Sequence, residues 1–171
     1  GNAAAQYNLG VRYANGQGVA KDLAEAVRWY RKAAEQEHAR AQFNLGVRYE
    51  NGQGVTKDKA EAVRWYRKAA EKGRVEGVTG IGYLHANGIG VPRNRKLAAK
   101  YYDKAASLGD SYAMNNLGNF YLEGTGVQKS SKKAIKYYEQ SANLGNKLAH
   151  RNLAHIYKDG IGVETVWETQ N

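Results

Sequence analysis

Three sets of side chains in this sequence have the types and spacing of reactive or ligand-binding groups. The first is a pair of closely spaced glycines, Gly16 with Gly18 in ANGQGV and Gly52 with Gly54 in ENGQGV. A phosphate-cradling loop needs a preceding strand and a Gly-Lys-Ser/Thr opening a helix, and a dinucleotide fingerprint needs a strand and a third glycine. Here the preceding segment is helical and Val19-Ala20-Lys21-Asp22 follows, so the glycines read as a chain reversal that uses positive φ. The second set is Ser130 with Lys133, a Ser-x-x-Lys that in penicillin-binding enzymes supplies a nucleophile and its lysine. The companion Ser-Asp-Asn and Lys-Thr-Gly elements are absent, and Ser130 is better explained as a helix cap. The third set is the histidines His38, His85, His150 and His155. His150 and His155 do not share a helical face, and no cluster has metal-ligand spacing. No metal, cofactor or small-molecule substrate is therefore expected.

The elements that position these residues are set by repetition. Residues 5–35 and 41–71 align without gaps and differ only at Tyr7/Phe43, Ala14/Glu50, Ala20/Thr56 and Leu23/Lys59. The register continues through Gly10, Gly46, Gly82 and Gly118, with Ala154 fifth, and through Val19, Val55, Val91, Val127 and Val163. The period is 36 residues, giving four full units and the first part of a fifth. In AQYNLGVRY, Ala5, Leu9 and Tyr13 recur at helical spacing, which predicts a helix buried along one stripe. A mid-helix glycine costs about 1 kcal/mol relative to alanine, so its recurrence predicts close approach by a neighbouring helix backbone. The second segment, DLAEAVRWYRKAAEQ, places Ala26, Tyr30, Ala33 and Ala34 on one face and Arg28, Arg31 and Lys32 largely on the other. Asp22, Asp58, Asn94 and Ser130 stand where N-caps belong, and Glu25 and Glu61 complete a capping-box pattern. Each unit is helix, glycine-rich turn, helix and short link.

Asn8, Arg12 and Asn15 fall together on one flank of the first helix, as do Asn44, Arg48 and Asn51 in the second unit. The fourth unit offers Asn116 and Asn119 beside Phe120, and the fifth offers Asn152 and His155 beside Ile156; Gly80 interrupts the series. An asparagine carries a donor and an acceptor together, as an extended peptide backbone requires. Arg12 and Arg48 have two readings, a snorkelling side chain with a packed stem or a carboxylate-binding fork.

The pattern A-x-x-x-L-G-x-x-Y-x-x-G-x-G-V-x-x-D-x-x-x-A-x-x-W-Y-x-x-A-A, met from Ala5 to Ala34 and again one period on, resembles the Sel-1-like repeat, a relative of the tetratricopeptide repeat. Later units write Tyr101 and Tyr137 for tryptophan. The resemblance implies an all-α fold, an α/α right-handed superhelical solenoid of about 4.5 repeats forming a single domain over residues 1–171. Its units are 3–38, 39–74, 75–110, 111–146 and a partial 147–171. It also implies a non-catalytic scaffold or adaptor whose first helices line a concave face. That face would bind a peptide or an acidic protein segment through Asn8, Arg12, Asn15, Asn44, Arg48, Asn51, Asn116, Asn119, Asn152 and His155. Because some such proteins have been suspected of β-lactam binding, an envelope enzyme using Ser130 is the alternative. The family spans bacterial periplasmic, secreted and cytoplasmic proteins and eukaryotic adaptors, so the compartment stays open.

A formal charge of +10 favours acidic partners. The basic residues of the second helices mostly face outward, and nucleic-acid binding, which pairs a basic stripe with exposed stacking aromatics, is the lesser reading. No cysteine is present and no apolar run reaches the roughly 20 residues of a membrane span. The start at Gly1-Asn2-Ala3-Ala4 and the incomplete fifth unit suggest a piece of a longer array, with Tyr7, Val166 and Trp167 near its ends.

Overall fold

The computed structural model describes residues 1–161, which form nine α-helices and no strand. They are α1 (Ala3–Asn15), α2 (Leu23–Glu35), α3 (Ala39–Asn51), α4 (Lys59–Glu71), α5 (Val75–Asn87), α6 (Arg95–Ser107), α7 (Ser111–Glu123), α8 (Ser131–Asn143) and α9 (Lys147–Lys158). The expected helix, turn and helix recur as antiparallel hairpins, so the chain is an all-α repeat solenoid. Two compact bodies are distinguished, Gly1–Asn94 and the part from Arg95 onward. In the first, α1 packs on α2, α2 on α3, α3 on α4 and α4 on α5; in the second, the series runs α6, α7, α8, α9. Val163, Val166 and Trp167 lie outside the described residues.

The first helices of the four full units stop at a glycine in the left-handed region, as at Gly16 with φ 71°, whose N–H donates to Arg12 O. The second glycine of the pair has a different task. A Cβ on Gly54 would lie 2.1 Å from Leu23 O, and one on Gly126 2.4 Å from Arg95 O. The turn of one hairpin thus seats its backbone on the first residues of the preceding hairpin's second helix. The reversal is closed by a backbone bond, Asp22 N–H to Tyr13 O at 2.9 Å, repeated by Asp58 to Tyr49, Asn94 to His85 and Ser130 to Tyr121.

That bond corrects the capping-box expectation. Asp22 Oδ1 accepts from the N–H groups of Ala24 and Glu25, and Asp58 from those of Ala60 and Glu61, as N-caps should. The cap's own N–H is already spent on the tyrosine carbonyl, so the glutamates have no donor to reach back to. Glu25 instead pairs with Arg28, and Glu61 with Arg64 and the Trp65 indole N–H.

The expected close backbone approach is present, a Cβ on Gly10 falling 3.3 Å from Ala26 O and one on Gly46 3.4 Å from Ala62 O, but a ring lies closer still. The rings of Tyr30, Tyr66 and Tyr138 lie flat on Gly10, Gly46 and Gly118, where an added Cβ would fall 2.7, 2.8 and 2.5 Å from a ring carbon. Tyr30, Tyr66 and Tyr138 are buried, with Ala26, Ala33 and Ala34 and their equivalents beside them. Burial of each large apolar side chain of this kind contributes about 1.5–3 kcal/mol. The glycine exists to admit the ring.

Candidate functional site

Because each ring is pinned on a glycine, its hydroxyl emerges among first-helix side chains. Tyr30 ends beside Asn44 and Arg48 of α3; burial raises its pKa, and the Arg48 charge and the Asn44 hydrogen bond oppose that rise. Tyr66 donates to Glu50 Oε2 at 2.7 Å, and burial together with that carboxylate holds its phenol well above the ordinary range. Tyr138 donates to Asn119 Oδ1 at 2.6 Å. Burial, with the charge of Glu123 second, pushes Tyr138 up to about 12. All three phenols are protonated at neutral pH, and Tyr66 and Tyr138 act as hydrogen-bond donors, the reverse of activated nucleophiles.

Asn119 Oδ1 also accepts from Asn152 Nδ2 at 3.3 Å, and Asn152 Nδ2 donates to Asn115 Oδ1 at 3.0 Å. A polar seam therefore joins α7, α8 and α9 in the second body, and α2 with α3 in the first. The structure brings Asn44 together with Arg48, and Asn119 with Asn152. It does not draw in the others. Asn51 Nδ2 folds back onto Val47 O of its own helix at 2.9 Å. Asn8, Arg12 and Asn15 are exposed on α1, Asn116 is half-buried on α7, and among the described residues none of the four makes a side-chain hydrogen bond. His155 is exposed in the last turn of α9.

Asn119 and His155 do not stand where Arg12 stands. They follow Asn116 and Asn152 by three positions, whereas Arg12 and Arg48 follow Asn8 and Asn44 by four. They occupy the place of Val11 and Val47; the Arg12 place is filled by Phe120, edge-on to Tyr102 with centroids 5.5 Å apart, and by the buried Ile156. Arg48 Nη1 donates to Gln53 Oε1 at 2.7 Å, an amide of its own hairpin turn, while Nε is buried without a partner. The sequence pointed to the amides but missed the tyrosine hydroxyls, Glu50 and Asn115 that hold the seam together. The substitution Ala14/Glu50 between near-identical units was the available signal.

The other candidates have structural duties. Ser130 Oγ caps α8 by accepting from Lys133 N–H at 3.3 Å, and the Lys133 ammonium sits over the Tyr121 ring, 5.1 Å from its centroid. His38 caps α3 through Nδ1, which accepts from Ala41 N–H. His85, in a tyrosine slot, is half-buried with Nδ1 3.4 Å from Pro92 O. Among the described residues no three His, Cys, Asp or Glu side chains could hold a metal together. On the second helices, Lys32 lies over Trp29, and Arg64 and Lys68 lie over Trp65. The protein's own cations thus cover both indoles. No described helix is long and apolar enough to cross a membrane.

Comparison with known proteins matches this geometry to one family. The Sel1 repeat signature matches residues 3–38, 39–73, 76–110, 111–146 and 147–166, within a residue or so of the unit boundaries read from the period in the four full units. A protective antigen of uropathogenic Escherichia coli with an SLR fold is 45% identical, with a TM-score of 0.84 over 94% of this chain and 34% of its own. A Sel1 repeat protein from Oxalobacter formigenes is 42% identical, with a TM-score of 0.87 over 94% of this chain and 66% of its own. Cysteine rich protein B of Helicobacter pylori is 30% identical, with a TM-score of 0.59 over 75% of this chain and 92% of its own. This chain thus spans about a third of the first relative and just under two thirds of the second. No curated protein matches the sequence. Five matched repeats place the chain in the Sel1 repeat family.

Proposed function

We propose that the chain is a non-catalytic scaffold that binds an extended, acidic segment of another protein along its first helices. Sel1 repeat proteins are in general protein-interaction scaffolds, and one observation extends that to these residues. In the seam, Asn119 spends its oxygen and Asn152 its amide nitrogen, so Asn119 Nδ2 and Asn152 Oδ1 are left over. One donor and one acceptor on adjacent first helices complement a peptide group. Exposed Arg12 and the remaining Arg48 nitrogens add positive charge for an acidic segment.

The test uses a displayed peptide library selected on the folded chain. Asn8→Ala, Arg12→Ala and Asn116→Ala together remove side chains that have no internal bonds, so helicity and melting temperature should hold. Selected peptides should lose at least about tenfold in affinity, or roughly 1.4 kcal/mol. Undiminished binding to the triple variant would sink this reading.

A further inference from the structure

The links into α3 and α5 carry residues that the seam does not use. Together with α1 they enclose a cavity of about 530 Å³ in the first body. Its wall holds His38 from the first link and Arg40 from the first turn of α3, Lys72 and Arg74 from the next link, and Tyr7 and Asn8 from α1. Tyr7 stacks on the His38 imidazole at 4.8 Å, which fixes that side of the cavity. Arg40 is exposed and makes no side-chain bond among the described residues. Arg74 stands at the N-cap position of α5 but supplies no capping acceptor, and its Nε is buried without a partner.

The two remaining cation contacts show what these side chains recognise. Lys72 Nζ holds Glu37 at 2.8 Å, and Arg74 Nη2 holds Glu76 at 2.6 Å. Both acceptors are carboxylates of the chain itself. The Glu37 side chain is 71% exposed, so its pairing is screened and readily exchanged. We infer that this cavity is a carboxylate-binding pocket that anchors an acidic side chain of the bound protein segment. It rests on the scaffold reading and adds to it a location and a chemistry: Arg40 and Arg74 as forks, Lys72 as a point charge. A cavity of this volume has room for a glutamate side chain and its flanking backbone.

His38 reports on the pocket. Burial, then the charges of Arg40 and Arg74, hold its imidazole below its ordinary value of 6.5. The probe is tetraglutamate, with tetraglutamine and inorganic phosphate as controls, followed by NMR titration of the histidines at low salt. Tetraglutamate should bind saturably and raise the His38 value. Arg40→Gln with Lys72→Gln should weaken binding at least about tenfold at unchanged melting temperature. Arg40→Gln alone, at an exposed side chain with no bond to lose, keeps the test valid if the double variant folds poorly. Absence of a saturable His38 shift, or phosphate binding as well as tetraglutamate, would overturn the carboxylate pocket. The two proposals fail separately. Tetraglutamate binding that depends on Arg40 but survives loss of Arg12 and Asn116 keeps the pocket and removes the first-helix face.

Discussion

Gly118→Ala tests the ring-on-glycine arrangement directly. In an unobstructed helix the change would stabilise by about 1 kcal/mol, because alanine restricts the unfolded chain and suits the helix. Here the new Cβ would lie 2.5, 2.6 and 2.9 Å from Cε1, Cδ1 and Cζ of Tyr138. Ordinary carbon contacts need about 3.5–4.0 Å, so the ring must retreat by roughly 1 Å. It has nowhere to go: Tyr138 is 1% exposed and its hydroxyl is tied to Asn119 at 2.6 Å. Overpacking of this kind costs about 1–3 kcal/mol, and loss of the tyrosine bond about 1 kcal/mol more. The net expectation is a destabilisation of about 1–3 kcal/mol after the helix gain is subtracted. Urea unfolding followed by circular dichroism measures it. Repeating the substitution in a Tyr138→Leu background removes the ring, and there Gly118→Ala should turn stabilising by about 1 kcal/mol. If Gly118→Ala raises the urea midpoint in the otherwise native chain, the packing argument is refuted.

Three further outcomes follow from the same contacts. Gly54→Ala meets both a positive φ of 74° and the Leu23 carbonyl, whereas Gly18→Ala meets only a positive φ of 71°, so urea midpoints should fall further for the former. Tyr30 and Tyr66 are raised and Tyr138 lies near 12, so their protonated forms stabilise fully below the unfolded value of 10. Stability should therefore fall as pH climbs from about 10 through 12, and Tyr138→Phe should flatten that slope when midpoints are read beside tyrosinate absorbance. Ser130→Ala should cost about 1 kcal/mol as a lost cap, and mass spectrometry with a penicillin probe should find no covalent adduct on the native chain; an adduct missing from Ser130→Ala would reinstate an enzyme.

Most of the fold was legible because a 36-residue period multiplies every local signal. Asp22, Gly16 and Ala26 each write their own role, and repetition removes the ambiguity of a single helix. What escaped was tertiary. The Glu25 capping role failed because Tyr13 O, across the turn, takes the cap's N–H. The glycine stripe announced the close backbone approach, but spacing does not say that a tyrosine ring fills the space as well. The connections within the amide series were not legible either. Nothing in the spacing says that Asn119 and Asn152 bond each other, or that Asn51 turns back on its own helix. The basic cavity was invisible for a simpler reason: its residues lie in links more than thirty positions apart.

The seating of Gly54 on Leu23 O, of Gly90 on Lys59 O and of Gly126 on Arg95 O has an evolutionary consequence. The joint is made by a carbonyl and an absent side chain, so it is blind to which residues the two hairpins carry. Leucine, lysine and arginine serve equally at the receiving position. Whole hairpins can then be copied or deleted without redesigning this contact, and the near-duplicate first two units have the form of such a copy. Side chains away from this joint are free to diverge afterwards, as Glu50 has already done relative to Ala14.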